Sequence, residues 1–127
     1  MRILQGDIYW VDFGDPLESS GAGYESSGAG YTHPAVVVQS DVFNKTAIDT
    51  VVVCEITETM KLGKAPGNVT LLPGEGGLRE MSVVNVSLII AVDKGDLRDW
   101  IGRLRPDRVQ EIIYGIRYLL EGRPPTT

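Results

Sequence analysis

His33 is the only histidine in the chain and stands directly before Pro34. Proline biases the residue before it toward extended backbone, which would hold the imidazole at a fixed exit angle. A histidine ordinarily titrates near about 6.5, so it can take or give a proton at neutral pH. Thr57 ends the apolar run DTVVVCEIT, where the polar stretch ETMKLGKAPGNV begins. Each residue has an ordinary reading: a lone histidine is more often a surface or packing residue, and threonine commonly ends a strand. What raises His33 is its place, at the junction of a long polar loop and an apolar strand. Sites are often built where a loop meets a rigid scaffold.

Other chemistry is limited by the inventory. With one Cys and one His, a Cys/His zinc site is excluded, and Cys54 has no partner for an intrachain disulfide. PGEGGL lacks the Gly-Lys-Ser/Thr ending of a phosphate loop, and Gly63-Lys64 is followed by alanine. A β-turn is the better reading of PGEGGL. Zinc-finger, leucine-zipper and helix-turn-helix patterns are absent. The chain has 12 basic and 17 acidic residues, for a net charge of −5. No Lys or Arg lies between Arg2 and Lys45, a stretch holding six acids. General coating of nucleic acid needs cations on phosphates, so any nucleic-acid site must be small and local.

The elements that would position these residues follow from the apolar pattern. The length of 127 residues fits one domain, 1–127. No run is long enough to span a bilayer and no signal-peptide pattern opens the sequence, so a cytoplasmic protein without membrane contact is expected. GDIYWVDFGDP reads as a strand with Ile8 and Trp10 on one side and Tyr9, Val11 and Phe13 on the other; Trp10 is expected in the core. PAVVVQS, DTVVVCEIT, NVTLL and MSVVNVSLIIAVD read as further strands. The runs at 36–38 and 51–53 are apolar on both faces, which calls for cover on both sides. A helix and a partner subunit are the expected covers. SDVFNKTAID reads as a connector with one helical turn, and DKGDLRDWIGRL as a short helix or a final strand. PDRVQEIIYGIRYLLEG is an amphipathic helix of about 106–121, with Pro106 at its start, Gly122 as its stop and an apolar stripe from Val109 to Leu120. The expected fold is mainly β: a small barrel of strongly bent antiparallel strands closed by a C-terminal helix.

The words GDIYWVDFGDP, HPAVVVQSDVFN, TVVVCEIT, KAPGNVTLLPGEGGL and SVVNVSLIIAVDK, in this order, resemble the MazF/PemK-type toxins of type II toxin–antitoxin systems. The resemblance runs from about Gly6 into the closing helix. It implies an SH3-like barrel of the MazF/CcdB type that forms a homodimer. It also implies a sequence-specific endoribonuclease, free of metal and cofactor, that cleaves single-stranded mRNA and inhibits growth. A cognate antitoxin would inhibit it, with operator DNA bound only through the toxin–antitoxin complex. The family's general pattern places an arginine where His33 stands, and its catalytic threonine or serine matches Thr57. The following position, often serine, is Glu58, and a glutamate common in the first loop falls on Gly28. Residues 15–33 match that loop, which lies over the RNA.

Cleavage of RNA without metal uses the 2′-hydroxyl as nucleophile. It needs a proton acceptor, a proton donor to the leaving oxygen and a stabiliser of the phosphorane charge. On the resemblance, His33 is the expected general acid or base, and Thr57 the residue that orients the phosphate. Tyr31, Thr32, Glu58, Lys61 and Lys64 are the expected RNA contacts; Lys45 and Arg79 are further cations that could serve the groove. Two competing readings belong to the same fold: a CcdB-like poison of DNA gyrase, and an attenuated member that mainly binds antitoxin and operator. The loop itself holds a tandem repeat, ESSGAGY at Glu18–Tyr24 and again at Glu25–Tyr31. Removal of one copy restores a loop of about the family's length, so the repeat reads as an insertion that is mobile without a ligand. Lengthening a flexible loop costs only about 0.6 kcal/mol per doubling.

Overall fold

The computed structural model describes residues 2–14 and 31–125. The ESSGAGY repeat, except Tyr31, lies outside the described residues. Six strands form one antiparallel sheet in the order β4-β5-β3-β2-β1-β6. They are β1 (Asp7–Asp12), β2 (Thr32–Val37), β3 (Thr50–Thr57), β4 (Val69–Leu71), β5 (Ser82–Asp93) and β6 (Leu97–Arg103). A single helical turn, Asp41–Asn44, follows β2, and a helix at Pro106–Glu121 closes the chain. This is the bent sheet and C-terminal helix expected from the sequence, with one more strand than the apolar runs suggested.

The extra strand is β6, which resolves the mixed pattern of LRDWIGR. Its helical spacing loses to pairing with β1, where Leu97 lies opposite Val11, Trp100 opposite Tyr9 and Gly102 opposite Ile8. The buried carboxylate of Asp7 ties the same edge. It accepts hydrogen bonds from Arg103 Nε at 2.7 Å, Trp100 Nε1 at 3.1 Å and the Leu4 amide at 2.9 Å. A carboxylate out of water needs such partners.

Strand alternation sorts the apolar residues into two cores. Even-numbered positions of β1 to β3 (Ile8, Val36, Cys54, Ile56) pack under the closing helix with Val69, Leu71, Val84, Val86, Val109, Ile112 and Ile116. Odd-numbered positions (Tyr9, Val11, Ala35, Val37, Val51, Val53) meet Ile3, Val92 and Leu97 inside the curl of the sheet. The second face of the doubly apolar strands is therefore covered by the chain's own curvature. A partner subunit is not needed there, contrary to the expectation from sequence.

The helix ends as its sequence dictates. Pro106 occupies the first turn, and Gly122 stands at φ 75°, its amide donating to the Tyr118 carbonyl. Gly115 lies buried against Gly67, where a Cβ would sit 2.0 Å from the Gly67 carbonyl oxygen. The stripe leaves the sheet in its last turn, so Leu120 is 73% exposed.

β5 is interrupted on its way across the sheet. Cys54 of β3 pairs with Ile89, whereas Ile56 pairs with Val84, a register shift that leaves Glu55 opposite a bulge. The Asn85 side-chain oxygen accepts from the Ser87 amide and hydroxyl inside that bulge, and the Asn68 oxygen accepts from the Val86 amide.

Candidate active site

β2 and β3 bring the two residues singled out above to one place. Their ladder runs from Val37↔Val53 to Ala35↔Glu55 and stops there. His33 and Thr57 are two residues further along each strand, at the same end of the sheet. Both line an open cavity of about 740 Å³. Trp10, Pro34, Glu58, Thr59, Arg79 and Glu80 also line it.

The Thr57 hydroxyl is held by a local turn. It accepts from the Thr59 amide at 3.2 Å and is 3.2 Å from the Thr59 hydroxyl. Of these two hydroxyls only one donates within the pair, so the other keeps its proton for a ligand. Thr59 thus joins the site.

Arg79 is brought in by the glycine-rich turn. In PGEGGL, Gly77 has φ 80° and sits so close to β6 that a Cβ would lie 2.4 Å from the Ile101 carbonyl oxygen. A Cβ on Gly102 would meet the Gly76 carbonyl oxygen at 2.2 Å. This close docking, open only to glycine, makes the turn a wall of the cavity. PGEGGL is thus a turn that carries an arginine into a site.

His33 faces a carboxylate. Its Nδ1 is 3.4 Å from Glu55 Oε1, with the two side chains 27% and 14% exposed. The Tyr31 hydroxyl donates to the same oxygen at 2.5 Å. The Tyr31 ring packs between Phe13 at 5.8 Å and His33 at 5.5 Å, centroid to centroid.

The remaining expected contacts lie around this centre. Thr32 is exposed one residue before His33, and Glu58 is exposed in the cavity wall. Lys61 and Lys64 are exposed on a short 3-10 segment, Met60–Lys64, outside the cavity lining. Lys45 lies elsewhere, beside Arg2 and Lys94. Trp10, expected in the core, is 43% exposed at the cavity. The helix covers the even face at Ile8 and Val36 but does not reach Trp10 and its ladder partner Pro34. Cys54 lies on the face of β3 away from Glu55 and Thr57; burial pushes its thiol up to about 12, so it offers no thiolate at neutral pH. Among the described residues, no group of three His, Cys, Asp or Glu side chains could hold a metal ion, and no helix is long and apolar enough to cross a membrane.

The curled sheet thus gathers an imidazole, threonine hydroxyls and an arginine in one open cavity. Residues 4–120 match the family model described as PemK-like, MazF-like toxin of type II toxin-antitoxin system. The chain belongs to that family. Two curated relatives, Endoribonuclease MazF2 of Mycobacterium bovis and Endoribonuclease MazF6 of Mycobacterium tuberculosis, are each 35% identical over 121 residues, spanning 95% of this chain and 99% of theirs. A mycobacterial endoribonuclease solved with its cognate antitoxin shares the fold, with a TM-score of 0.72 at 23% identity over 97% of this chain and 99% of that one. MazF from Deinococcus radiodurans gives 0.69 at 23% identity, over 95% and 98%. These findings favour the ribonuclease branch over the gyrase-poison and attenuated readings.

Sequence reasoning missed Glu55 and Thr59. Glu55 had a signal, a lone acid in an otherwise β-branched and apolar strand. Thr59 had none stronger than its place two residues after Thr57.

Proposed function

We propose that the chain is the toxin of a type II toxin–antitoxin system and cleaves single-stranded RNA at short sequences without a metal. One observation carries this reading: His33, Thr57 and Arg79 line one open cavity at the end of β2 and β3. The roles follow from chemistry. The 2′-hydroxyl loses its proton to a base, its oxygen bonds to phosphorus, and the bond from phosphorus to the 5′-oxygen breaks. The products are a cyclic phosphate and a 5′-hydroxyl, the latter once a proton reaches the leaving oxygen. His33 is the proton carrier, as base when neutral or as acid when charged. The hydroxyls of Thr57 and Thr59 orient the phosphate, and the Arg79 guanidinium faces the charge that develops on it. Arg79 has no ion-pair partner among the described residues, so its charge is available. Glu58 and Thr32 flank the scissile group, and Lys61 and Lys64 contact phosphates further along the strand. Tyr31, an expected RNA contact, donates its hydroxyl to Glu55, which leaves its ring for any contact with a base.

The protein acts in the cytoplasm as a homodimer, for which the exposed Leu88 and Ile90 of β5 offer apolar surface. A cognate antitoxin covers the RNA groove, in keeping with the neighbour solved as such a complex. Operator DNA is reached only through the antitoxin complex. The test is incubation of the purified chain with long single-stranded RNA in EDTA. Discrete cuts, lost in His33→Ala and Thr57→Ala, are expected. Absence of cuts, or undiminished cutting by both variants, overturns the reading.

A further inference from the structure

Glu55 is a carboxylate placed in an apolar strand, and the strand does not need it there for packing. A side chain of this kind is retained against its desolvation cost only where partners meet it. Both of its close partners lie at the site. The Tyr31 hydroxyl and His33 Nδ1 approach the same oxygen, Oε1, at 2.5 and 3.4 Å. Nδ1 is buried and has no hydrogen-bond partner within ordinary distance. The His33 side chain as a whole is 27% exposed and lines the open cavity, so the ring is reachable from that side.

We propose that Glu55 is the positioning carboxylate of this site: it holds His33 in the tautomer with the proton on Nδ1, leaving Nε2 to the substrate, while Tyr31 holds Glu55. The inference rests on the reading of His33 as proton carrier and deepens it. A bare Nδ1 lone pair pointed at a carboxylate oxygen would be repulsive, whereas an N–H there is attracted. The present 3.4 Å is longer than a formed hydrogen bond, and such contacts commonly tighten when substrate binds. In the reaction, Nε2 takes the proton of the 2′-hydroxyl, and the imidazolium so formed has its charge balanced by Glu55. Among the described residues, Glu55 is the carboxylate paired with His33. β1 places Val11 opposite His33 and Trp10 opposite Pro34, both uncharged, while Asp12 at its end is paired with Arg98; Phe13, just after β1, carries no charge. The segment before β2 contributes Tyr31, and the cavity walls contribute Glu58, Glu80 and Arg79 on the open side. The Phe13–Tyr31–His33 row of rings limits rotation of the imidazole.

Because the chain has one histidine, its two ring nitrogens can be followed by 15N NMR without assignment by mutation. The wild type is expected to show the Nδ1–H tautomer at neutral-imidazole pH, and Glu55→Gln a shift toward Nε2–H. In cleavage assays Glu55→Gln is expected to lower kcat at least about tenfold with KM little changed. The loss stays within that of His33→Ala, about 10²- to 10⁴-fold for an acid–base group. In the His33→Ala background Glu55→Gln is expected to add nothing, because it acts through the imidazole. Tyr31→Phe, which keeps the ring and removes only the hydroxyl, is expected to reproduce part of the tautomer shift and carries the test should Glu55→Gln not fold. An Nε2–H wild type, or additive losses in the double variant, overturns the proposal. Wild-type protein that cuts no RNA instead overturns the ribonuclease reading, while the NMR result still decides the role of Glu55.

Discussion

Replacing Gly115 with alanine tests how the closing helix is seated. A Cβ there would lie 2.0 Å from the Gly67 carbonyl oxygen, 2.9 Å from its carbonyl carbon and 3.1 Å from its Cα. A tolerable carbon–oxygen approach is about 3.3 Å, so the helix must retreat by more than an ångström. All three atoms are backbone, which cannot swing aside as a side chain can. The retreat loosens Val109, Ile112 and Ile116 from the core they share with Val69, Val84 and Val86. Forced overpacking costs about 1–3 kcal/mol, and alanine returns about 1 kcal/mol through helix propensity. Because the clash is with backbone, the upper part of that range applies, about 2–3 kcal/mol, and the net expectation is a loss of about 1–2 kcal/mol. For a chain of this size that lowers Tm by roughly 3–10 °C. Circular dichroism melts would measure it, with Gln110→Ala on the exposed helix face as the control for propensity alone. RNA cleavage per folded molecule should persist, because Gly115 does not line the cavity. A Gly115→Ala Tm equal to or above wild type would refute the close-docking argument.

Arg79→Gln should lower kcat/KM for RNA by about tenfold or more, as expected when a charge-stabilising donor is removed, and should flatten the salt dependence of binding; unchanged kinetics would remove Arg79 from the site. Stability should decline on the acid side in part through Glu75. Hydrogen bonds from Arg108 and the Leu72 amide hold its carboxyl below the ordinary 4.5, so this contribution is complete above that pH and is lost as pH falls below it. Denaturant titrations of Glu75→Gln should therefore show a shallower acid-side slope than wild type. Cys54, fully buried with its thiol pushed up to about 12, should resist iodoacetamide at neutral pH and react only on unfolding; rapid labelling of the native protein would show that β3 opens.

The elements with a clean period were legible in the sequence. The helix has the expected bounds because Pro106, Gly122 and the stripe agree on one answer. β1 to β5 follow their apolar runs. β6 was ambiguous because LRDWIGR carries a helical spacing, and only the free edge of β1 decides it. Trp10 was misplaced because alternation assigns a face, not how far along that face the helix extends. His33 and Thr57 were legible as residues of interest, but their meeting depends on the β2–β3 register. Glu55 stood out as the one acid in TVVVCEIT, but only the fold shows that Tyr31 and His33 meet it. Arg79 was one cation among four until the docking of Gly77 and Gly102 gave it a position.

The bulge in β5 divides β3 into two stretches that are held by different parts of one partner strand. Val83 and Val84, backed by β4, secure the end that carries Ile56 and Thr57, while Ile89 to Asp93 secure the stretch from Thr50 to Cys54. Opening of one stretch need not propagate through the break to the other. Amide exchange along β3 would then fall into two protection groups, with Glu55 at their boundary. The end of the sheet that carries Thr57 would then open without unseating the interior of the curl.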